Sequence, residues 1–284
     1  MRTRFTSCLT RVAVVVAVAV VGVVVPAQIA DARPTLRHVD YIALGDSVAF
    51  GFSPFLTDPW IPEAFVGYPE LVASQTHLKT ANLACPGQTA QALISLQAPD
   101  NGCFDGRAAA AAEGFPFLHV DYPGTQLDAA LARIGREGSP KLITIQGGGN
   151  ELIQCLGSPN PTACLDSVRP KVAAALASAV KSLRRGGYHG PIALLGYYGV
   201  PGIEGLEGRL EATIRDAARR TGVHFGNIAE VFASYASRHG GDICTTGLLI
   251  AFPDGSCDVH PSRTGQQLIA RLVMRLLDNH NDDR

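Results

Sequence analysis

The sequence predicts an α/β fold, a three-layer sandwich around a central, mostly parallel five-stranded sheet. Three observations lead there. Short apolar runs recur along the chain, most of them running into glycine. Between them lie longer stretches with apolar residues at helical spacing, and the two patterns alternate. Such alternation argues for parallel strands with helices on both faces.

The elements follow in order. Residues 41–44 form an apolar run that stops at Gly45 and read as a buried strand. Residues 68–74 suit a helix, and residues 80–84 a second strand that runs into Cys85-Pro86-Gly87. Residues 126–134 carry Leu127, Leu131 and Ile134 at helical spacing. Residues 142–146 form a third strand closed by Gly147-Gly148-Gly149. An Ala-rich helix over 172–183 ends in Arg184, Arg185 and Gly186, where basic residues and glycine favour termination. A fourth strand over 192–196, an amphipathic helix over 206–220, a fifth strand over 223–228 and a terminal helix over 264–277 complete the alternation. Residues 98–124 are rich in Gly, Pro and Ala and read as a long irregular surface excursion.

Residues 1–32 read as an export leader and stand outside this pattern. Arg2, Arg4 and Arg11 precede a 14-residue Val/Ala run over 12–25; Pro26 breaks it, and Ala30-Asp31-Ala32 is a small-x-small cleavage site. Fourteen helical residues rise only about 21 Å, short of the ~30 Å hydrocarbon core, so a retained membrane span is disfavoured. Cleavage after Ala32 leaves a single domain over 33–284. Cys8 lies ahead of the run and is not placed as a lipid anchor.

The 284-residue chain is 46% hydrophobic and 17% charged, a globular composition, with formal net charge −1. No Lys/Arg run with interleaved aromatics occurs, which argues against a nucleic-acid partner. Of seven cysteines the leader holds one, leaving Cys85, Cys103, Cys155, Cys164, Cys244 and Cys257. An even set in an exported chain points to disulfides. No C-x-x-C pair exists and no histidine stands at ligand spacing, so no metal or other cofactor is expected.

In open α/β sheets sites gather beyond the carboxyl ends of the strands. There the sequence offers Gly45-Asp46-Ser47, then Asn82 to Gly87, then Gly147-Gly148-Gly149-Asn150, and before the last helix His260-Pro261. A hydroxyl, a glycine amide, a carboxamide and an imidazole are the parts that acyl transfer needs: nucleophile, oxyanion donors and base. Each residue alone also has an ordinary reading: Ser47 and Asn150 as helix caps, Gly87 as a turn residue, His260 as a surface histidine. Two other motifs fail. Ala49 breaks the G-x-S-x-G elbow, and Leu152 stands where a dinucleotide loop needs its third glycine.

These four blocks, in order between residues 41 and 265, resemble those of the SGNH/GDSL hydrolase family, in particular its secreted actinobacterial esterases and lipases. The resemblance implies the SGNH-hydrolase, flavodoxin-like version of the sandwich. It also implies Ser47 as nucleophile, His260 as base, and an oxyanion hole made by the Ser47 and Gly87 N–H groups and the Asn150 carboxamide. The chain departs from the pattern in two places. The family's aspartate three residues before the histidine is replaced by Cys257, with Asp258 only two before. Either a backbone carbonyl near Cys257 or the Asp258 carboxylate is then left to orient His260. The carbonyl is the first expectation, because a one-residue shift in an extended segment turns a side chain the other way. In the third block Glu151 stands where the family often has aspartate, a change expected to alter loop packing more than chemistry.

Six cysteines allow fifteen pairings. Adjacent pairing would join Cys85–Cys103, Cys155–Cys164 and Cys244–Cys257, each bridge beside one functional loop. The expected enzyme is a serine esterase or lipase acting outside the cytoplasm, as a monomer without a stable membrane span, on a lipid or other small ester. Acyl transfer, carbohydrate deacetylation and a catalytically silent binding module are the alternatives. The aromatic stretch Phe50, Phe52, Phe55, Trp60 and Phe65 reads as core, with an acyl pocket as its second reading.

Overall fold

The computed structural model describes residues 38–282 apart from 57, 59 and 135–138; the segment 1–32, read from the sequence as an export leader, lies outside the described residues. Five strands form one parallel sheet: β1 (Tyr41–Leu44), β2 (Thr80–Asn82), β3 (Leu142–Gln146), β4 (Ile192–Leu195) and β5 (His224–Gly226), in the order β2-β1-β3-β4-β5. β1, β3 and β4 are buried along their whole length, which is why they read as continuous apolar runs. Two buried polar side chains of β3 reach across the sheet layer. Thr144 Oγ1 lies 2.9 Å from Tyr41 Oη, and Gln146 Nε2 donates to the Gly196 carbonyl at 3.0 Å.

The order reverses at β1: the chain steps outward to β2, then crosses back to β3 on β1's other side. That is a flavodoxin-like order, and it opens a crevice beyond the carboxyl ends of β1 and β3.

Helices cover the sheet: α1 (Ser47–Phe50), α2 (Tyr68–Thr76), α3 (Cys103–Glu113), α4 (Gln126–Leu131), α5 (Gly149–Leu156), α6 (Pro161–Arg185), α7 (Glu204–Thr221), α8 (Ile228–Arg238) and α9 (Arg263–Asp282). A hairpin of β6 (Leu249–Ala251) and β7 (Cys257–Pro261) stands apart from the main sheet. Three differences from the sequence reading stand out. The excursion at 98–124 is not wholly irregular, since α3 occupies its centre, held by a run of alanines that favours helix. Helix α6 starts at Pro161, capped by Asn160, whose side chain accepts from the Ala163 N–H. The hairpin and the four-residue α1 are too short to leave a periodic signal.

The aromatic stretch divides. Phe50 and Phe65 are buried with ring centroids 5.1 Å apart, as core. Phe52 lies against His260 at 4.8 Å, and Phe55 is exposed. Trp60 stacks on Phe115 at 5.6 Å.

Candidate active site

Ser47 is the first residue of α1, three positions past the end of β1. Asp46 caps that helix: its Oδ1 accepts from the Val48 N–H at 3.0 Å. The turn is clamped from three sides. Gln126 on α4 accepts from the Gly45 N–H and donates to the Gly45 carbonyl, both at 2.8 Å. The Cys85 N–H donates to the same carbonyl at 3.1 Å. From α9, Gln266 Nε2 donates to the Val48 carbonyl at 2.9 Å, while its Oε1 accepts from the Tyr68 N–H at 2.8 Å. The Ser47 turn is thus tied to three segments remote in sequence.

His260 is brought to Ser47 from the far end of the chain, with Nε2 2.9 Å from Ser47 Oγ. It sits on β7, opposite β6. The register passes from Ala251↔Cys257 to Leu249↔Pro261, two steps on one strand against four on the other. The ladder therefore breaks at Asp258-Val259-His260, a bulge of the kind that re-aims side chains near active sites. Tyr198 Oη donates to the Val259 carbonyl at 2.7 Å and pins that bulge to the loop after β4.

Asp258, not a backbone carbonyl, meets the other face of the imidazole. Its Oδ1 accepts from the His260 backbone N–H at 2.9 Å and also contacts His260 Nδ1. A two-residue spacing suffices because aspartate readily bonds the backbone N–H two positions on, which sets the carboxylate beside the ring. Partial burial pushes the Asp258 carboxyl upward, but the bonds and charge of His260 outweigh it and hold the group below the ordinary aspartate value. Hydroxyl, imidazole and carboxylate in one line can activate the hydroxyl and steady an imidazolium.

The sequence of residues 43–268 matches that of the GDSL-like lipase/acylhydrolase family. The chain belongs to this family. Like other GDSL hydrolases it is an enzyme that cleaves carboxylic esters. Among solved structures it is similar to an acetylxylan esterase from Geobacillus stearothermophilus, at 16% identity over 84% of this chain and 94% of that one, with TM-score 0.52. It is likewise similar to phospholipase A1 from Streptomyces albidoflavus, at 18% identity over 86% of this chain and 99% of that one, with TM-score 0.53. At these identities the likeness is one of fold. No curated protein matches it in sequence.

In this GDSL hydrolase Gly87 lies on the loop after β2 and Asn150 on helix α5. Gly87 has φ +81°, and a Cβ there would come within 2.2 Å of the Asn101 carbonyl oxygen, so only glycine fits. Among the described residues neither the Ser47 N–H nor the Gly87 N–H has a protein acceptor. Asn150 lies in the first turn of α5. Its Nδ2 donates to the Gln88 carbonyl at 2.9 Å and its Oδ1 accepts from Asn101 Nδ2 at 3.1 Å. One carboxamide N–H is thereby spent on orientation, and the second is left for an acceptor. Ser47, Asn150 and His260 line one cavity; Gly87 reaches it only through Gln88 and Asn150. Among the described residues no three His, Cys, Asp or Glu side chains gather as a metal site.

Several further residues brace these turns, and of them the sequence singles out only Glu151. Tyr197, just beyond β4, donates from Oη to Asp46 Oδ2 at 2.5 Å, and a Cβ on Gly149 would lie 2.8 Å from its ring. It therefore joins the turn that carries Ser47 to the start of the helix that carries Asn150. Burial pushes the Asp46 carboxyl up, opposed by the Tyr197 hydroxyl and the Val48 N–H. Glu151 is buried and its Oε1 accepts from the Ala90 N–H at 2.8 Å, bracing the loop after Gly87; burial pushes its carboxyl up to about 7. Gln126, Gln266, Asn101 and Tyr197 belong to no motif, and a lone polar residue in an amphipathic pattern carries no signal of its partner.

Three disulfides frame the site. Cys85–Cys103, Cys155–Cys164 and Cys244–Cys257 have Cα–Cα distances of 5.7, 5.5 and 5.9 Å. The first lies two residues before Gly87, the second closes α5 onto α6, and the third begins β7.

Proposed function

We propose that this GDSL hydrolase is exported and cleaves its ester through an acyl-enzyme on Ser47, with His260 as general base and Asp258 as the acid of a triad. The observation that carries the reading is the line Ser47 Oγ–His260 Nε2, 2.9 Å, continued from His260 Nδ1 to Asp258. A serine hydroxyl is a weak nucleophile until a neighbouring base takes its proton.

In the first half-reaction Ser47 Oγ bonds to the ester carbonyl carbon while its proton moves to His260 Nε2. The carbonyl electron pair moves onto oxygen, where the N–H groups of Ser47 and Gly87 and the Asn150 carboxamide stabilise it. Asp258 steadies the resulting imidazolium. The oxyanion collapses, the carbon–oxygen bond to the alcohol breaks, and the alcohol oxygen takes the proton from Nε2. Water, activated by the same nitrogen, then attacks the acyl-enzyme, and the acid leaves with Ser47 restored.

Export is supported by the Arg-flanked apolar run before Ala32 and by three disulfides, which persist in oxidising compartments. Among the described residues no helix is long and apolar enough to cross a membrane.

The test is turnover of p-nitrophenyl esters by the oxidised protein over residues 33–284, beside Ser47→Ala. Turnover should fall by at least ~10³-fold in the variant. Hydrolysis that survives Ser47→Ala sinks the acyl-enzyme. N-terminal sequencing of protein recovered from the culture medium should begin at Arg33; an intact leader there would overturn the cleavage.

A further inference from the structure

One face of α7 borders the cavity that holds Ser47 and His260. Ile203 at its cap, then Glu207 and Leu210, all line that cavity, at the spacing of a single helix face. Ile203 and Leu210 are apolar, as a covered face requires. Glu207 breaks the pattern and is only 7% exposed. A buried carboxyl costs free energy unless its oxygens find partners. One of them has: Oε2 accepts from the Val200 N–H at 2.5 Å. Among the described residues Oε1 has no hydrogen-bond partner and Glu207 has no ion pair. Yet Oε1 is not one of the oxygens sealed away from open space, and the open space beside this residue is the cavity.

The other polar side chains of the wall are already committed. Asp46 lines the cavity as well, but both its oxygens accept, Oδ1 from the Val48 N–H and Oδ2 from the Tyr197 hydroxyl. The Tyr198 hydroxyl donates to the Val259 carbonyl. Ser47, His260 and Asn150 serve the ester carbonyl in the proposed reaction. Oε1 of Glu207 is the carboxyl oxygen left for a ligand. No residue of the aromatic stretch at 50–65 lines this cavity, so that stretch does not supply its wall.

We infer that Glu207 is a specificity-determining residue, one that hydrogen-bonds a hydroxyl group carried by the ester close to its scissile carbonyl. The inference rests on the Ser47 acyl-enzyme proposed above. The hydroxyl can belong to the acyl chain or to the alcohol, and its chemistry at Glu207 is the same. Burial pushes the Glu207 carboxyl up to about 8; the Val200 N–H opposes the rise and Glu204 adds to it, so the group keeps its proton at neutral pH. An oxygen that accepts from an N–H is the carbonyl oxygen of the acid, so the proton sits on Oε1, the oxygen without a protein partner. An O–H there donates to a hydroxyl oxygen and offers no counter-charge to an ammonium group. A plain alkyl ester strips water from Oε1 and returns no hydrogen bond. A site with a buried polar group left unpaired discriminates against the analogue that lacks its partner.

The experiment titrates acid release at about pH 7 from four esters in two pairs, with the oxidised protein over residues 33–284. Methyl 3-hydroxybutyrate against methyl butyrate reads the acyl side; glycerol monobutyrate against propyl butyrate reads the alcohol side. In one pair the hydroxylated ester should have the higher kcat/KM by about tenfold, and that pair names the side. Glu207→Leu should bring the ratio near one. Glu207→Gln should keep it within about threefold, because a carboxamide can accept from Val200 and present an N–H to the cavity. Thermal melts check the fold, and Glu207→Met takes the place of Glu207→Leu if the latter does not fold. Ser47-dependent turnover with both ratios near one in the native chain overturns the role of Glu207 and leaves the acyl-enzyme standing. So does a preference that Glu207→Leu leaves intact or that Glu207→Gln abolishes. No Ser47-dependent turnover on any of the four esters overturns both.

Discussion

Asp258 and Tyr197 show how much hangs on single side chains. Asp258 contacts His260 twice, through the backbone N–H and the ring. Asp258→Ala should lower kcat on the order of 10³-fold with little change in KM, because the imidazolium loses its counter-charge while the ester contacts remain. Circular dichroism checks the fold, and full activity in that variant would leave a Ser47–His260 dyad. Tyr197 touches no ester atom in the proposed reaction; it is a positioning residue. Tyr197→Phe strands a buried Asp46 oxygen and loosens the link between α1 and α5. A drop in kcat of about tenfold at nearly constant KM is expected, the size of one net hydrogen bond. A change confined to melting temperature would assign Tyr197 a structural role only. Asp258 is legible in the sequence as the only carboxylate within three residues of His260, but its contact is not, because it depends on a local side-chain-to-backbone bond. Tyr197 is not legible at all.

At the scale of elements, the β6–β7 hairpin carries half of the candidate chemistry on few hydrogen bonds to the rest of the fold. Cys244–Cys257 anchors its start and Tyr198 its middle. Replacing both cysteines by serine should cost about 2–4 kcal/mol of stability. It should also lower kcat by more than removal of Cys155–Cys164, whose helix α5 is braced by Glu151 and Asn150 as well. Paired measurement of melting temperature and kcat for the two double variants checks this; equal losses of kcat would separate the bridges from positioning. The hairpin is invisible to periodicity, because β6 has three residues and β7 mixes polar and apolar ones without alternation. The buried strands β1, β3 and β4 were plain, because a strand covered on both faces must be apolar throughout.

For the whole molecule, the parallel sheet in the order β2-β1-β3-β4-β5 decides where these loops meet. The same compactness buries carboxylates. Burial pushes Glu151 to about 7 and Glu207 to about 8, against an ordinary 4.5. Both hold a proton in the folded chain that the unfolded chain releases above about pH 4.5. Their contribution to stability is therefore present in acid and is lost as pH rises to about 8, then levels off. Asp258, held low, acts oppositely and only in strong acid. The melting temperature of the native chain should fall between pH 5 and 8.5, and the fall should be shallower in Glu207→Gln. Parallel curves would show that Glu207 does not titrate in that range.

What the sequence determined by itself was the alternation of strand and helix and, as candidates, three residues beyond strand ends, Ser47, Gly87 and Asn150, with His260 before the last helix. Both follow from local rules: burial dictates apolar periodicity, and loops beyond parallel strands hold exposed reactive groups. Tertiary structure alone decided that the Asp258 carboxylate meets His260. It also assigned the clamping of the Ser47 turn to Gln126, Gln266 and Tyr197, and lined the cavity with α5, α7 and the post-β4 segment rather than the nearby phenylalanines. Those are contacts between residues as many as 218 positions apart. Pairings at such distance are chosen by the packing of the whole chain, and no single stretch of it encodes them.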